Sequence, residues 1–161
     1  KKYAIRVRDT ESPVLKNYTG VEFFPIDLDF VVEAKFVKHE TPKEMKVPNA
    51  IGEVDIEHSF GNLVFKLKGT EYTLAPWGDP EKNGKLEILF GDQTNGKESY
   101  GGGRFLYTDA PDKDGNVVIN FNQSYSPPCV FTPYCTCPLP PKENKLPLKV
   151  VAGEKTYGDH H

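Results

Sequence analysis

The chain lacks the residues that build long helices. Of its 161 residues only six are alanine, the best helix former, whereas glycine and proline, which both break helices, number 14 each. The longest stretch without glycine or proline is residues 26–41, so a fold of long helices is excluded. An uninterrupted apolar run of about 18 residues is also missing, which excludes an apolar membrane-spanning helix.

An excess of basic residues is missing as well. The 20 Lys and Arg residues are outnumbered by 23 Asp and Glu residues, for a net charge of −3. We therefore expect no nucleic-acid partner. Leu, Ile, Val and Phe together supply 41 residues, which is enough for one hydrophobic core, and we predict a single domain over residues 1–161.

Alternating apolar residues predict β-strands. Every second residue from Ile26 to Phe36 is apolar, the pattern of a long half-buried strand. The same alternation recurs in six shorter segments, namely 63–67, 72–74, 86–90, 105–107, 117–121 and 146–150. Turn residues separate these segments. The pattern predicts an all-β fold, a single antiparallel meander that closes as a barrel or a sandwich.

Residues 126–147 contain seven prolines and all three cysteines. Proline lacks the N–H that a central strand needs, so we predict that this segment runs as extended chain across the domain. Cys129, Cys135 and Cys137 allow three interpretations. They are buried thiols, one disulfide with a thiol left over, or a metal or nucleophilic site completed by His39 or His58.

Three polar motifs could carry chemistry. The three glycines before Arg104 could form a nest of N–H groups for an anion, or simply a bend at the start of a strand. Asp92 lies in a polar link whose Asn-Gly pair favours a hairpin turn. Asn120 and Asn122 share one strand face, which indicates either a polar pocket or a solvated outer surface.

Several of these segments together resemble one protein family. They are Asp92-x-Thr94-Asn95-Gly96, Tyr100-Gly-Gly-Gly-Arg104-Phe-Leu, Asn120-Phe-Asn122, Tyr125-x-Pro127-Pro128-Cys129, Cys137-Pro-Leu-Pro-Pro-x-Glu143-Asn144-x-Leu146-Pro147 and Ala152-Gly153-Glu154-Lys155. The set resembles the bacterial family called domain of unknown function 1684, over nearly the whole chain. The resemblance implies no established activity. Most members have Asp where this chain has Asn120, which would weaken a catalytic or metal-binding role there.

The resemblance also bears on location, since it implies both exported and cytoplasmic relatives. Of these two locations, we expect export. Because the chain begins with Lys1 rather than Met, we also expect a mature or trimmed form. The oligomeric state is left open.

Nine polar residues stand in apolar or proline-rich surroundings and are expected to converge, because buried polar groups need partners. They are Asp92, Tyr100, Arg104, Asn122, Tyr125, Glu143, Asn144, Glu154 and Lys155. The functional hypothesis is a pocket in which Arg104 binds the anionic group of a small molecule, oriented by Asn122 and Tyr125. The structural alternative is an internal clamp that pairs Arg104 with Glu143 or Glu154.

Two other functional classes are consistent with the sequence. One is a hydrolase-like enzyme that uses the Cys/His metal or thiol site. The other is an interaction module with an exposed apolar patch formed by residues such as Trp77 and Phe131. We predict no cofactor, and a metal is expected only under the enzyme hypothesis.

Overall fold

The computed structural model describes residues 8–158, and strands dominate this part of the chain. The strands are β1 (Val31–Pro48), β2 (Val54–Leu67), β3 (Thr70–Leu74), β4 (Lys85–Phe90), β5 (Arg104–Asp109) and β6 (Asn116–Asn120). The helices are short: α1 (Pro13–Lys16), α2 (Pro80–Asn83) and the 3-10 helices Leu28–Phe30, Phe121–Gln123, Pro128–Val130 and Lys142–Asn144. Within residues 8–158, no helix has both the length and the apolar character needed to cross a membrane.

The strands form two antiparallel sheets. The first has the order β3-β2-β1-β6, and the second is the β4-β5 pair. The prediction of a mostly β fold is confirmed. A closed barrel is wrong, because the sheets curl without closing on each other. A single meander is also wrong, because β6 returns to pair with β1, where Val117 lies opposite Ala34, instead of following β5.

The first strand begins later than its alternating pattern predicts. Ile26 and Leu28 are 84% and 78% exposed, whereas Phe30, Val32 and Ala34 are buried. The Asp27 side chain accepts a hydrogen bond from the Asp29 N–H at 2.9 Å and starts a 3-10 helix. This local hydrogen bond favours the 3-10 helix over an extended strand. Residues 26–30 therefore lie outside the sheet, and β1 begins at Val31.

The β1–β2 hairpin extends well beyond the segments that the sequence predicted. Its register runs from Ala34 opposite Phe65 to Pro48 opposite Val54, with an irregularity between Lys38 and Lys43. The part of the hairpin beyond this irregularity, residues 43–59, is called the outer hairpin below. It carries many charged residues, and these obscure the alternation of apolar side chains in the sequence. There the buried Met45 and Val47 alternate with exposed neighbours.

Two hydrophobic clusters hold the fold together. The larger contains buried side chains from both sheets, and it also includes Leu146 and Val150. The segment 146–150 is not a strand, so that prediction is wrong, although Leu146 and Val150 are buried and Leu148 is partly buried against the same core. The smaller cluster, beneath the outer hairpin, consists of Met45, Val47, Trp77, Leu89 and Phe105.

The proline-rich segment 126–147 is not one extended run. Two of the 3-10 helices interrupt it. Its middle lies against the tip of the β1–β2 hairpin, where Ala50 N–H donates to the Cys137 carbonyl at 3.0 Å and Leu139 N–H donates to the Pro48 carbonyl at 2.7 Å. This contact positions a loop beside the smaller cluster.

Candidate functional site

Arg104 is enclosed at the start of β5. Its side chain and that of Asp92 have no exposed surface, and Nη2 donates to Asp92 Oδ2 at 2.8 Å. The guanidinium also donates to the carbonyls of Val150, Ala152 and Glu154. Burial lowers the pKa of Arg104 from its usual value, and the charge of Asp92 opposes that effect. These contacts use Nη1 and Nη2, whereas Nε has no partner among the described residues. Because the whole side chain is closed off from solvent, the structure offers no support for an open pocket at Arg104.

The contacts of Arg104 match a clamp, but with a different carboxylate from those expected. Asp92 is the counter-charge, and its Oδ1 accepts from the N–H groups of Thr94 and Val150 at 2.7 and 3.2 Å. Glu154 contributes its carbonyl to Arg104 and accepts the Ser126 N–H on its side chain at 2.7 Å. Glu143 is exposed and stands apart from this network. The clamp therefore ties the chain after residue 149 to β5.

The two amides among the predicted site residues satisfy backbone groups. Asn144 is fully buried, accepts the Ala75 N–H at 2.7 Å and donates to the carbonyls of Ala75 and Leu89 at 2.9 and 3.0 Å. Asn122 accepts the Asp27 N–H at 3.0 Å and donates to the Asp27 carbonyl at 2.9 Å. Both side chains thus hold loops in place.

The three remaining predicted residues lie at separate places. Tyr100 Oη is 3.6 Å from Cys129 Sγ, and Lys155 Nζ is 3.5 Å from Glu22. Tyr125 stacks on the rings of Phe105 and Tyr107, at 5.8 and 6.1 Å between centroids. Burial raises the pKa of Tyr125 well above its usual value, helped by its hydrogen bond with Tyr107.

The glycine run serves close packing in the structure. Gly103 has a φ of +84°, and a Cβ there would overlap Pro140 and lie 2.7 Å from the Phe90 carbonyl oxygen. Only glycine fits a left-handed position with backbone and proline so near. The bend before β5 thus explains this motif without an anion.

The cysteine arrangement is one disulfide with a thiol left over. Cys129 and Cys137 are bonded, with their Cα atoms 6.0 Å apart, and Cys135 is free and exposed. Cys129 and Cys137 are therefore not available as metal-binding thiolates or nucleophiles in this state. Within residues 8–158, no group of three or more His, Cys, Asp or Glu side chains is placed to share a metal ion.

The apolar patch proposed for an interaction module does not take the expected form. Trp77 is buried in the smaller cluster. Phe131 packs against Tyr18 and Tyr157, with ring centroids 6.0 and 5.1 Å away. Neither side chain is a free surface anchor.

A groove of about 280 Å³ lies elsewhere, between the outer hairpin and the disulfide loop, and we call it the Trp77 groove. Its lining is Val47, Asn49, Glu53, Asp55, Glu57, Trp77, Thr136 and Pro138. None of the nine predicted site residues lines it. The sequence pattern indicated Trp77 only as part of an exposed apolar patch, and it singled out none of the other lining residues as site residues.

The strand register places carboxylates over the apolar cluster. Asp55 lies opposite Val47 and Glu57 opposite Met45, and directly opposed residues share a face of the sheet. At the hairpin tip, Asn49 accepts the N–H groups of Ile51 and Glu53 at 3.2 and 2.9 Å. These contacts fix the loop that carries Glu53 to the groove.

Trp77 forms the inner wall of the groove. Its backbone exchanges two hydrogen bonds with Glu87 on the edge of β4, at 2.9 and 3.2 Å. Its ring meets Phe105 edge-on, with centroids 6.3 Å apart. Rigid backbone pairing and aromatic packing therefore hold the indole in one orientation.

The opposite wall is the disulfide loop, which supplies Thr136 and Pro138. Pro138 lies in a bridge with Asn49, and the Cys129–Cys137 bond closes the loop next to it. A sequence signal for this site was present in the alternation of Val54-Asp55-Ile56-Glu57, which places two acids on one strand face. The two acids indicate a site only once the structure shows that they share a groove with Trp77 and the disulfide loop.

Comparison with known proteins gives relatives without a described activity. The family model described as "Protein of unknown function (DUF1684)" matches residues 16–155. The solution NMR structure of an uncharacterized protein from Haloarcula marismortui is similar, with 31% sequence identity and a TM-score of 0.71. The match covers 90% of this chain and 81% of that one. No curated protein matches the chain.

Proposed function

We propose, from the premise that the chain belongs to the DUF1684 family of proteins of unknown function, that it is a small-molecule-binding β-domain whose ligand occupies the Trp77 groove. The family match confirms the resemblance that the motifs predicted. The family has no described activity, so the function is argued from the geometry of the groove. The observation that carries the proposal is the groove itself, an open cavity with an ordered aromatic wall and polar groups around it.

The dimensions and composition of the groove fit this role. Ligand pockets typically span about 300–1,000 Å³ and combine apolar or aromatic walls with a few placed polar groups. The Trp77 groove has about 280 Å³ and places Val47, Trp77 and Pro138 beside Asn49 and Thr136. It therefore suits a ligand of only a few heavy atoms. The enclosed Arg104, by contrast, presents no surface to a ligand.

The test is an NMR titration of the 15N-labelled protein. The probes are choline chloride, sodium acetate and glucose, which represent cationic, anionic and neutral ligands, at constant ionic strength. Trp77 is the only tryptophan, so its indole N–H gives a single resolved signal. We expect at least one probe to shift this signal and the Thr136 amide, and to leave the Val150 amide beside Arg104 unchanged.

Substitution of the groove wall supplies the control. Thr136→Tyr fills the groove from an exposed loop position and should abolish the shifts. Thr41→Tyr adds the same ring at an exposed position of β1 outside the lining and should bind as the wild type does. The proposal fails if no probe shifts the groove signals, or if acetate instead shifts signals around Val150.

A further inference from the structure

We infer that Cys129, Cys135 and Cys137 form a thiol–disulfide exchange site, in which Cys135 attacks the disulfide and Tyr100 stabilises the departing Cys129 thiolate. The inference goes beyond the proposed function and does not depend on a ligand in the Trp77 groove. Three observations lead to it: a free thiol inside the disulfide loop, a hydroxyl beside one of the two bonded sulfurs, and the different burial of the bonded cysteines.

The free thiol is close in the chain to the bond that it attacks. Cys135 is exposed and lies within the loop that the Cys129–Cys137 disulfide closes. Only Thr136 separates it from Cys137, and two residues of chain span at most about 7 Å between Cα atoms. Bonded cysteines have their Cα atoms about 4.4–6.8 Å apart, so the chain length permits a Cys135–Cys137 bond. The thiolate form of such an exposed cysteine is the nucleophile of thiol–disulfide exchange.

Tyr100 provides an independent indication of exchange. Its Oη lies 3.6 Å from Cys129 Sγ, and because a disulfide sulfur carries no hydrogen, the hydroxyl is the donor. A disulfide sulfur is a weak acceptor, whereas a thiolate accepts a charge-assisted hydrogen bond. The contact therefore becomes stronger when Cys129 leaves as a thiolate, which favours the products of the exchange.

The glycine run and the polar link before it hold Tyr100 in place. A Cβ at Gly102 would lie 2.5 Å from Cε1 of the Tyr100 ring, so only glycine lets the ring pack this closely on the backbone. The Tyr100 carbonyl accepts a hydrogen bond from Asn95 Nδ2 at 3.0 Å and another from the Gly103 N–H at 3.2 Å. The hydroxyl is thus positioned before the exchange, and little conformational entropy is lost when it binds the thiolate.

The burial of the two bonded cysteines decides which one leaves. Cys137 is only 2% exposed, whereas Cys129 is half-buried. Attack of Cys135 on Cys129 would release a Cys137 thiolate closed off from water, and a buried unpaired charge is costly. Attack on Cys137 instead releases Cys129 next to the Tyr100 hydroxyl, and Cys137 stays uncharged in the new disulfide.

The exchange conserves atoms and electrons. Cys135 first gives its proton to water or buffer, and its thiolate attacks Cys137 Sγ. The bond between Cys135 and Cys137 forms while the bond between Cys129 and Cys137 breaks, and the electron pair of the broken bond stays on Cys129 Sγ. One disulfide and one thiol are present before and after the step, so it needs no oxidant or reductant.

Alkylation by iodoacetamide at pH 8, on protein prepared without added thiol, tests the inference. Cleavage by chymotrypsin after Phe131 and Tyr134 separates Cys129 from Cys135 and Cys137, and mass spectrometry then locates the label. We expect dilute reagent to label Cys129 as well as Cys135. Concentrated reagent should shift the label toward Cys135, because fast alkylation captures this thiol before it exchanges. Label confined to Cys135 at every concentration would overturn the inference, and label on Cys137 would overturn the direction of attack.

Three variants assign the roles of the side chains. In Cys135→Ser the disulfide has no internal attacker, so neither Cys129 nor Cys137 should be labelled. Tyr100→Phe keeps the ring and removes the hydroxyl. It should lower the ratio of label on Cys129 to label on Cys135 about tenfold, the scale of one hydrogen bond to a charged atom. Tyr134→Phe removes a hydroxyl from an exposed position in the same loop and should be labelled as the wild type is.

The remaining outcomes separate the two roles from each other and from the groove. Label on Cys129 in Cys135→Ser would overturn the role of Cys135 as the attacking thiol. A wild-type labelling ratio in Tyr100→Phe, shown by its amide NMR spectrum to be folded, would overturn the role of Tyr100. Either failure would leave the small-molecule function of the Trp77 groove intact, because the labelling experiment contains no ligand.

Discussion

Asp92→Asn should destabilise the protein strongly, because it leaves the charge of Arg104 buried without a counter-charge. Both side chains have no exposed surface and their charged atoms are 2.8 Å apart. Removing one partner of a buried pair typically costs about 3–5 kcal/mol. At an effective dielectric constant of about 20, two unit charges 2.8 Å apart attract each other by about 6 kcal/mol, which is of the same order as that cost. For a domain of this size each kcal/mol lowers Tm by about 2–4 °C, so we expect a decrease of roughly 6–20 °C.

Urea unfolding followed by circular dichroism and Trp77 fluorescence measures the loss. Glu81→Gln is the matched control, because Glu81 forms an ion pair of 2.7 Å with Lys38 in which both side chains are largely exposed. Exposed pairs contribute about 0–1 kcal/mol, so this variant should unfold almost as the wild type does. The comparison holds the type of interaction fixed and varies its burial.

A double-mutant cycle assigns the loss to the pair. Arg104→Met alone should also cost several kcal/mol, because it leaves Asp92 buried and removes the donor to the Val150 carbonyl. The Asp92→Asn, Arg104→Met double variant should lose less than the sum of the two, by about 0.5–3 kcal/mol. The clamp explanation is refuted if Asp92→Asn destabilises no more than Glu81→Gln, or if the two single effects simply add.

Three further outcomes test other parts of the structure. In urea unfolding, Gly103→Ala should cost clearly more than Gly52→Ala: both glycines have positive φ, but only Gly103 has neighbours that a Cβ would meet, so equal losses would contradict the packing account. Cys129→Ser opens the disulfide loop and should lower the free energy of unfolding by about 2–3 kcal/mol, whereas Cys135→Ser, at the free thiol, should leave it unchanged. The raised pKa of Tyr125 means that the unfolded chain loses this proton first, so stability should fall as pH rises above about 10. An alkaline titration of tyrosine absorbance in which Tyr125→Phe removes an early-ionising group, not a late one, would contradict that shift.

The sequence predicted local features well where the physics is local. Alternation of apolar residues located five strand cores, from Phe65 in β2 to Ile119 in β6, because side chains on a strand point to opposite faces in turn. The turn predicted between the segments 63–67 and 72–74 contains Lys68 and Gly69, whose φ values are +50° and +80°. The pattern failed at Ile26, where the Asp27 cap acts against the strand.

For the predicted site residues too, the sequence indicated local properties but not the long-range contacts. Their surroundings indicated that Asp92, Arg104, Asn144 and Glu154 needed buried partners, and each has them. The sequence could not say that Asp92, rather than Glu143, meets Arg104. That choice depends on the tertiary packing that brings Asp92 and the chain near Val150 to Arg104.

The amino-acid sequence by itself determined the strand segments, the polar residues that require burial with partners, and the family. Only the tertiary structure decided the sheet order, the counter-charge of Arg104 and the position of the cavity. The Trp77 groove joins residues 47–57, 77 and 136–138, which are far apart in the chain. Strand register sets which acids face Trp77, and the disulfide loop closes the opposite wall. Register and loop docking arise from burial summed over the whole domain, so no local pattern contains them.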